Sequence, residues 1–182
     1  MKKALVVVDY QYDFIASDGA LTVGKDGQDI EKNIVAKAKE LSPNDVFFTL
    51  DFHQEENWEK DNFHPEGKIF PKHCIEKTAG YEIFGELKDL GAPKANYTNK
   101  YAYCPNPAFL DKLTDNYDEI EVCGVVTDIC VFQTVVGLYT SGINKKKPVK
   151  LSVSKNCCAS FDKEREAFSL KYMADVLGVD VK

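Results

Sequence analysis

No apolar run in these 182 residues is long enough to cross a bilayer. The first such run, Leu5 to Val8, is cut by Asp9 too early for a secretory h-region, and no small-residue cleavage site follows. The expectation is a cytoplasmic protein that does not engage membranes. Positive charge is also scarce: 23 Lys and Arg face 29 Asp and Glu, giving a formal net charge of −6. Nucleic acid as a main partner requires a basic face, and the Lys145-Lys146-Lys147 run is too short to supply one. The six cysteines (74, 104, 123, 130, 157 and 158) follow no disulfide-framework spacing, and adjacent Cys157-Cys158 would be an awkward bridge. Reduced thiols are expected. Repeats, low-complexity tracts and interdomain linkers are lacking, so residues 1–182 read as a single domain with room for its own core.

What is present alternates between strand and helix patterns. Leu5–Val8 is a continuous apolar, β-branched run, the mark of a strand buried on both faces. Further strands are predicted at Asp45–Leu50, Lys94–Tyr97, Glu119–Val125 and Val149–Val153, with a short last one at Val179–Val181. Helical spacing covers Asp29–Leu41, Tyr81–Leu90, Asn106–Asp115, Asp128–Tyr139 and Asp162–Leu177. The pattern predicts an α/β fold: three layers, with a mainly parallel β-sheet flanked by helices on both faces. Ligands bind such sheets beyond the carboxyl ends of the strands. Asp9, Asp51, His53, Lys100 and the Thr127–Cys130 segment all fall there.

Cys130 follows an apolar run and a polar Thr127-Asp128 pair, at the start of a predicted helix. The helix dipole and nearby N–H groups favour thiolate at such a position, which makes Cys130 a candidate nucleophile. Asp9 is either a turn-capping carboxylate or a base for that thiol, and the convergence with Cys130 favours the base. A cation beside the thiol would favour its ionised form, and spacing alone does not select Lys100 over Lys94. All three histidines (His53, His64, His73) lie in the long segment from Asp51 to Gly80. Asp51-Phe52-His53 puts two ligand types on alternate residues, and an Asp with two His suits Zn²⁺, Fe²⁺ or Mn²⁺. Glu66 and His64 are both available as a further ligand, and Cys74 adjoins His73. Phe14, Trp58, Phe63, Phe70, Tyr101 and Tyr103 accompany these groups in sequence. They supply either core or an apolar slot for a flat ring.

Three segments in this order resemble the isochorismatase-like (cysteine hydrolase) family. Val6-Val7-Val8-Asp9-Tyr10-Gln11-Tyr12-Asp13-Phe14 resembles its opening motif. Cys123-Gly124-Val125-Val126-Thr127-Asp128-Ile129-Cys130-Val131 resembles its nucleophile motif. Asp51-Phe52-His53, His64-Pro65-Glu66-Gly67 and Phe70-Pro71-Lys72-His73-Cys74 resemble the metal segment of its nicotinamidase branch.

The resemblance implies an Asp9–Lys100–Cys130 triad and selects Lys100, which is followed by Tyr101-Ala102-Tyr103. It implies a cis peptide bond between Val126 and Thr127, in a turn whose backbone N–H groups, including that of Cys130, face a substrate carbonyl. It also implies one divalent ion, zinc before iron or manganese, on Asp51, His53, His73 and, by the His-Pro-Glu-Gly spacing, Glu66 rather than His64. The implied substrate is nicotinamide, in NAD salvage, with Phe14, Phe70 and Tyr103 as walls and Val126 and Thr127 in contact. Pyrazinamide presents the same handles. The family includes monomers and larger assemblies, so a homo-oligomer stays open. One departure is Lys77, which replaces the first glycine of a family turn in Lys77-Thr78-Ala79-Gly80.

Overall fold

The computed structural model describes residues 1–58 and 65–182. Its strands are β1 (Lys3–Val8), β2 (Val46–Asp51), β3 (Tyr97–Lys100), β4 (Glu119–Val125), β5 (Lys150–Ala159) and β6 (Asp180–Val181). They form one sheet in the order β3-β2-β1-β4-β5-β6, and every neighbouring pair is parallel. The helices are α1 (Tyr12–Ile15), α2 (Lys25–Asp29), α3 (Glu31–Lys39), α4 (Glu55–Trp58), α5 (Pro107–Asn116), α6 (Phe132–Asn144) and α7 (Lys163–Leu177).

The apolar runs explain the centre of the sheet. Ala4 to Val8 of β1 and all of β2 are buried, as expected of strands covered on both faces. Chain order runs leftward from β1 to β3 and rightward from β4 to β6. Right-handed crossovers therefore put α3 on one face and α5, α6 and α7 on the other. The order reverses between β1 and β4, and ligand crevices open at such a switch point. Asp9 follows β1 and Cys130 follows β4 at this place. Among the described residues, no helix is long and apolar enough to cross a membrane.

Several elements differ from expectation. The helix expected over Tyr81–Leu90 is two short 3₁₀ turns, Ala79–Tyr81 and Gly85–Asp89. Gly85 takes φ 63°, and Glu31 accepts the Glu86 N–H at 2.7 Å, so the chain is tied into a bend there. The strand expected over Lys94–Tyr97 lies three residues on, at Tyr97–Lys100. Lys94–Asn96 is a turn, pinned by the Asn96 amide donating to the carbonyls of Asn44 and Val46 at 2.9 Å each. The helix expected over Asp29–Leu41 is α3, Glu31–Lys39, and a short α2, Lys25–Asp29, precedes it. Strand β5 continues past Val153 to Ala159, after a register shift against β4 between Val122 and Gly124. The helix expected from Asp128 starts at Phe132, because Thr127–Val131 forms a wider π-type turn.

Candidate active site

Register builds the first cluster. In the β2–β3 ladder Asp51 lies beside Lys100, and in β1–β2 Val8 lies beside Thr49. Asp9 follows directly with φ 48°, a left-handed conformation uncommon outside glycine and characteristic of functional sites. Thr49 Oγ1 donates to Asp9 Oδ1 at 2.7 Å, and Lys100 Nζ meets Asp9 Oδ2 at 2.8 Å. The same Nζ lies 3.3 Å from Cys130 Sγ and 3.1 Å from Asp51 Oδ1. Gly124 makes the approach of β4 to β1 possible. It sits at φ 112°, and a Cβ there would fall 2.1 Å from the Val8 carbonyl oxygen.

The electrostatics follow from burial and pairing. Burial pushes the Asp9 carboxyl above its ordinary value, and the Lys100 ammonium only partly offsets this. Burial opposes the charge on Lys100, but Asp51, Asp9 and Cys130 outweigh it and hold the ammonium well into its protonated range. With only 2% exposure, Lys100 keeps its charge through these partners and not through water. Burial also pushes the Cys130 thiol well up against the pull of Lys100, with Asp9 and Asp51 adding to the rise. This corrects the thiolate expected from the helix dipole. The sulfur rests as a thiol, so a neighbouring base has a proton to take.

The second cluster shares Asp51. Asp51 Oδ2 lies 3.1 Å from both His53 Nε2 and His73 Nε2. Glu66 Oε2 lies 3.7 Å from His53 Nε2, and Glu66 Oε1 lies 3.6 Å from His73 Nε2. One ligand atom from each of the four lies within 4.8 Å of the other three. Two segments are clipped together to achieve this: His53 N donates to Cys74 O at 3.2 Å, and Glu76 N donates to His53 O at 2.8 Å. His73 Nδ1 donates to the Pro71 carbonyl at 2.7 Å, which turns Nε2 toward the cluster, the usual orientation of a metal-binding histidine. Burial works against charge on His73, but Asp51 and Glu66 outweigh it and push the ring up to about 10. A proton and a metal ion would thus compete for the same Nε2. Burial also works against a charged Asp51, yet Lys100 and both histidines hold its carboxyl well below the usual range. Two imidazoles and two carboxylates aimed at one point fit a divalent ion of the zinc, iron or manganese kind. His64 and Phe63 lie outside the described residues. Cys74 is buried, at φ 47°, and is not among the four clustered ligands.

A small pocket lies between the two clusters, and Asp51, Glu66 and Cys130 all line it. Phe14, Phe70, Tyr103 and Val126 are in its wall. Thr127 is buried, but its hydroxyl donates to Glu166 Oε1 at 2.8 Å, and it is not a lining residue. Trp58 packs edge-on against His53 and His73, whereas Tyr101 is exposed and packs on Phe52. The non-proline cis bond is Val125–Val126 and not Val126–Thr127. Val125 is the last β4 residue paired with β5, so the chain turns one residue earlier than expected.

The structure adds residues that sequence reasoning passed over. Gln11 Nε2 donates to the Asp51 carbonyl at 2.9 Å, while Gln11 Oε1 accepts the Asp51 N–H at 2.7 Å. Asp13 Oδ2 accepts the Cys74 N–H at 2.7 Å, next to His73. The available signal was two polar residues spaced by two from Asp9 in an otherwise buried segment. Leu21, Ile129 and Phe161 complete the pocket wall, and no local pattern marks them.

The isochorismatase domain family matches residues 3–181. A Bacillus subtilis (strain 168) protein described as "Uncharacterized isochorismatase family protein PncA" is 36% identical over 191 residues, covering 100% of this chain and 99% of that protein. The crystal structure of nicotinamidase/pyrazinamidase PncA from Bacillus subtilis superimposes with a TM-score of 0.84 at 33% identity, over 100% of this chain and 99% of that one. The pyrazinamidase/nicotinamidase from Streptococcus mutans UA159 superimposes with a TM-score of 0.80 at 33% identity, over 99% of each chain.

Proposed function

The chain belongs to the isochorismatase family, and on that premise we propose that it hydrolyses nicotinamide to nicotinate and ammonia, with pyrazinamide as a second substrate. The observation that carries this reading is the joint position of Lys100. Its ammonium touches Cys130 Sγ on one side and the ligand Asp51 on the other, at 3.3 and 3.1 Å. Cys130 and two of the four ligand residues, Asp51 and Glu66, line a single small pocket.

The chemistry follows from the groups present. The pyridine ring enters the slot of Phe14, Phe70 and Tyr103, with its amide carbon facing Cys130. Asp9 takes the thiol proton as sulfur bonds to that carbon, and backbone N–H groups of the Val126–Cys130 turn hold the oxyanion. Asp9 then gives its proton to the departing nitrogen, the C–N bond breaks, and ammonia leaves a thioester. Water attacks the thioester and Asp9 takes one of its protons; the C–S bond breaks to give nicotinic acid, which releases its proton to solvent as nicotinate, and a thiolate that recovers the proton held by Asp9. Lys100 offsets the negative charge passing between Asp9 and sulfur. A divalent ion, zinc first, held by Asp51, His53, Glu66 and His73 would supply an electrophilic anchor for the ring nitrogen. The physiological setting in this reading is NAD salvage in the cytoplasm.

The test is ammonia release from nicotinamide before and after chelation. Turnover that chelator removes and added Zn²⁺, Fe²⁺ or Mn²⁺ restores supports the reading. No release by metal-loaded protein overturns it.

A further inference from the structure

The turn that carries Cys130 is held from outside the pocket. Thr127 Oγ1 donates to Glu166 Oε1 at 2.8 Å, and Lys163 Nζ holds Glu166 Oε2 at 2.9 Å. The next residue of the turn, Asp128, has its carboxylate shared in the same manner. Ser160 Oγ donates to Asp128 Oδ1, and Arg165 Nε donates to Asp128 Oδ2 at 2.9 Å. Both carboxylates therefore have each oxygen occupied, and both are largely buried: 14% exposed for the Glu166 side chain and 5% for Asp128.

The helix that supplies these anchors is itself fixed at its start. Asp162 Oδ1 accepts the N–H groups of Glu164 and Arg165 at 3.0 Å each, and Asp162 N donates to Ser160 Oγ at 3.2 Å. This capping fixes the first turn of α7, which carries Arg165 and Glu166. Between Ser160 and Asp162, Phe161 lines the catalytic pocket. Neither Arg165 nor Glu166 lines it.

We propose that Glu166 and Arg165, on the first turn of α7, are positioning residues for Cys130. They pin the side chains of Thr127 and Asp128 and so hold the π-type turn in the register that aims sulfur at the substrate carbon. The proposal rests on the reading of Cys130 as nucleophile. Its physical basis is that the two polar side chains at the start of the turn, Thr127 and Asp128, find their partners on Ser160 and α7, so the placement of this edge of the turn against the pocket is set from outside it. Small displacements of a reacting group carry large rate costs, of order a hundredfold per ångström.

The experiment compares Glu166→Ala, Glu166→Gln and Arg165→Ala with the parent protein. Three quantities are read: kcat and KM for nicotinamide, the rate of iodoacetamide labelling on the Cys130 peptide at fixed pH, and bound metal. Glu166→Gln keeps an oxygen for Thr127 and serves as the conservative rescue. The expected result is a fall in kcat of about tenfold or more in both alanine variants, with KM and metal content little changed. Cys130 labelling is altered in both, and Glu166→Gln recovers most of the loss. Parent-like kcat and labelling in both alanine variants would overturn the proposal, as would loss carried by KM or by metal content. The labelling needs no substrate. If the parent protein fails to hydrolyse nicotinamide, the nicotinamide reading fails, while unaltered labelling in the alanine variants still rejects the positioning role on its own.

Discussion

Asp51 and Lys100 are register partners at the ends of adjacent parallel strands, and their side chains meet at 3.1 Å. That one contact fuses the thiol cluster with the metal-type cluster. Asp51 gives Oδ1 to the ammonium and Oδ2 to the two histidines. The spacing between the Lys100 ammonium and the ligand Asp51 is therefore fixed by a β-ladder and not by a loop.

Replacing Lys100 by Met keeps the length of the side chain and removes its charge. Asp9 and Asp51 are then buried without their cation, and losing one member of a buried ion pair costs about 3–5 kcal/mol. Lys100 also pulls the Cys130 thiol toward ionisation, so its removal raises that thiol further. Denaturant melts should show the stability loss, and labelling of the Cys130 peptide at fixed pH should slow. Faster labelling would contradict the assigned role.

In the proposed mechanism Asp9 must be ionised to take the thiol proton. Burial raises its pKa above the ordinary 3.8, so protonation disables the base at a higher pH than for an exposed aspartate. The acid limb of kcat/KM should accordingly lie above pH 3.8, with activity rising as pH increases through it. A profile still flat at and below that value would remove Asp9 as the base.

His53 supplies one of four converging ligands, and its backbone clips the two ligand segments together. His53→Ala keeps the backbone bonds and removes the imidazole. Metal analysis after equilibration with Zn²⁺ should show reduced content, with a weaker nicotinamide affinity. Unchanged metal content would contradict the ligand set.

Lys77 tests how well this fold tolerates its departure from the family turn. It takes φ 63°, with its side chain 85% exposed. A left-handed conformation costs a non-glycine residue about 1–2 kcal/mol, partly offset by the chain entropy a glycine loses on folding. Lys77→Gly should therefore stabilise the fold by about 0.5–1 kcal/mol, raising Tm by a few degrees. A lower Tm would show that the lysine's contacts outweigh its backbone strain.

The legible part of the molecule was the part written in continuous apolar runs. β1, β2 and β4 announce themselves, and the residues that follow them become the candidate site. β3 was misplaced because Tyr97-Thr98-Asn99-Lys100 is an edge strand without an apolar run, and its end matters for positioning Lys100. The expected helix over Tyr81–Leu90 has the right spacing, but tertiary ties such as Glu31 to the Glu86 N–H override it. The four clustered ligands could be named from residue type and motif. The outer anchors Glu166 and Arg165 could not, since nothing local in α7 says which turn it will face. The resting thiol was likewise hidden, because burial and two distant carboxylates decide it.

The most direct test of the account is ammonia release from nicotinamide by the parent protein and Cys130→Ala, measured side by side at equal metal loading. The account predicts sustained release by the parent and none above background by the variant, which still binds metal and nicotinamide. Release by Cys130→Ala at the parent's rate would contradict it.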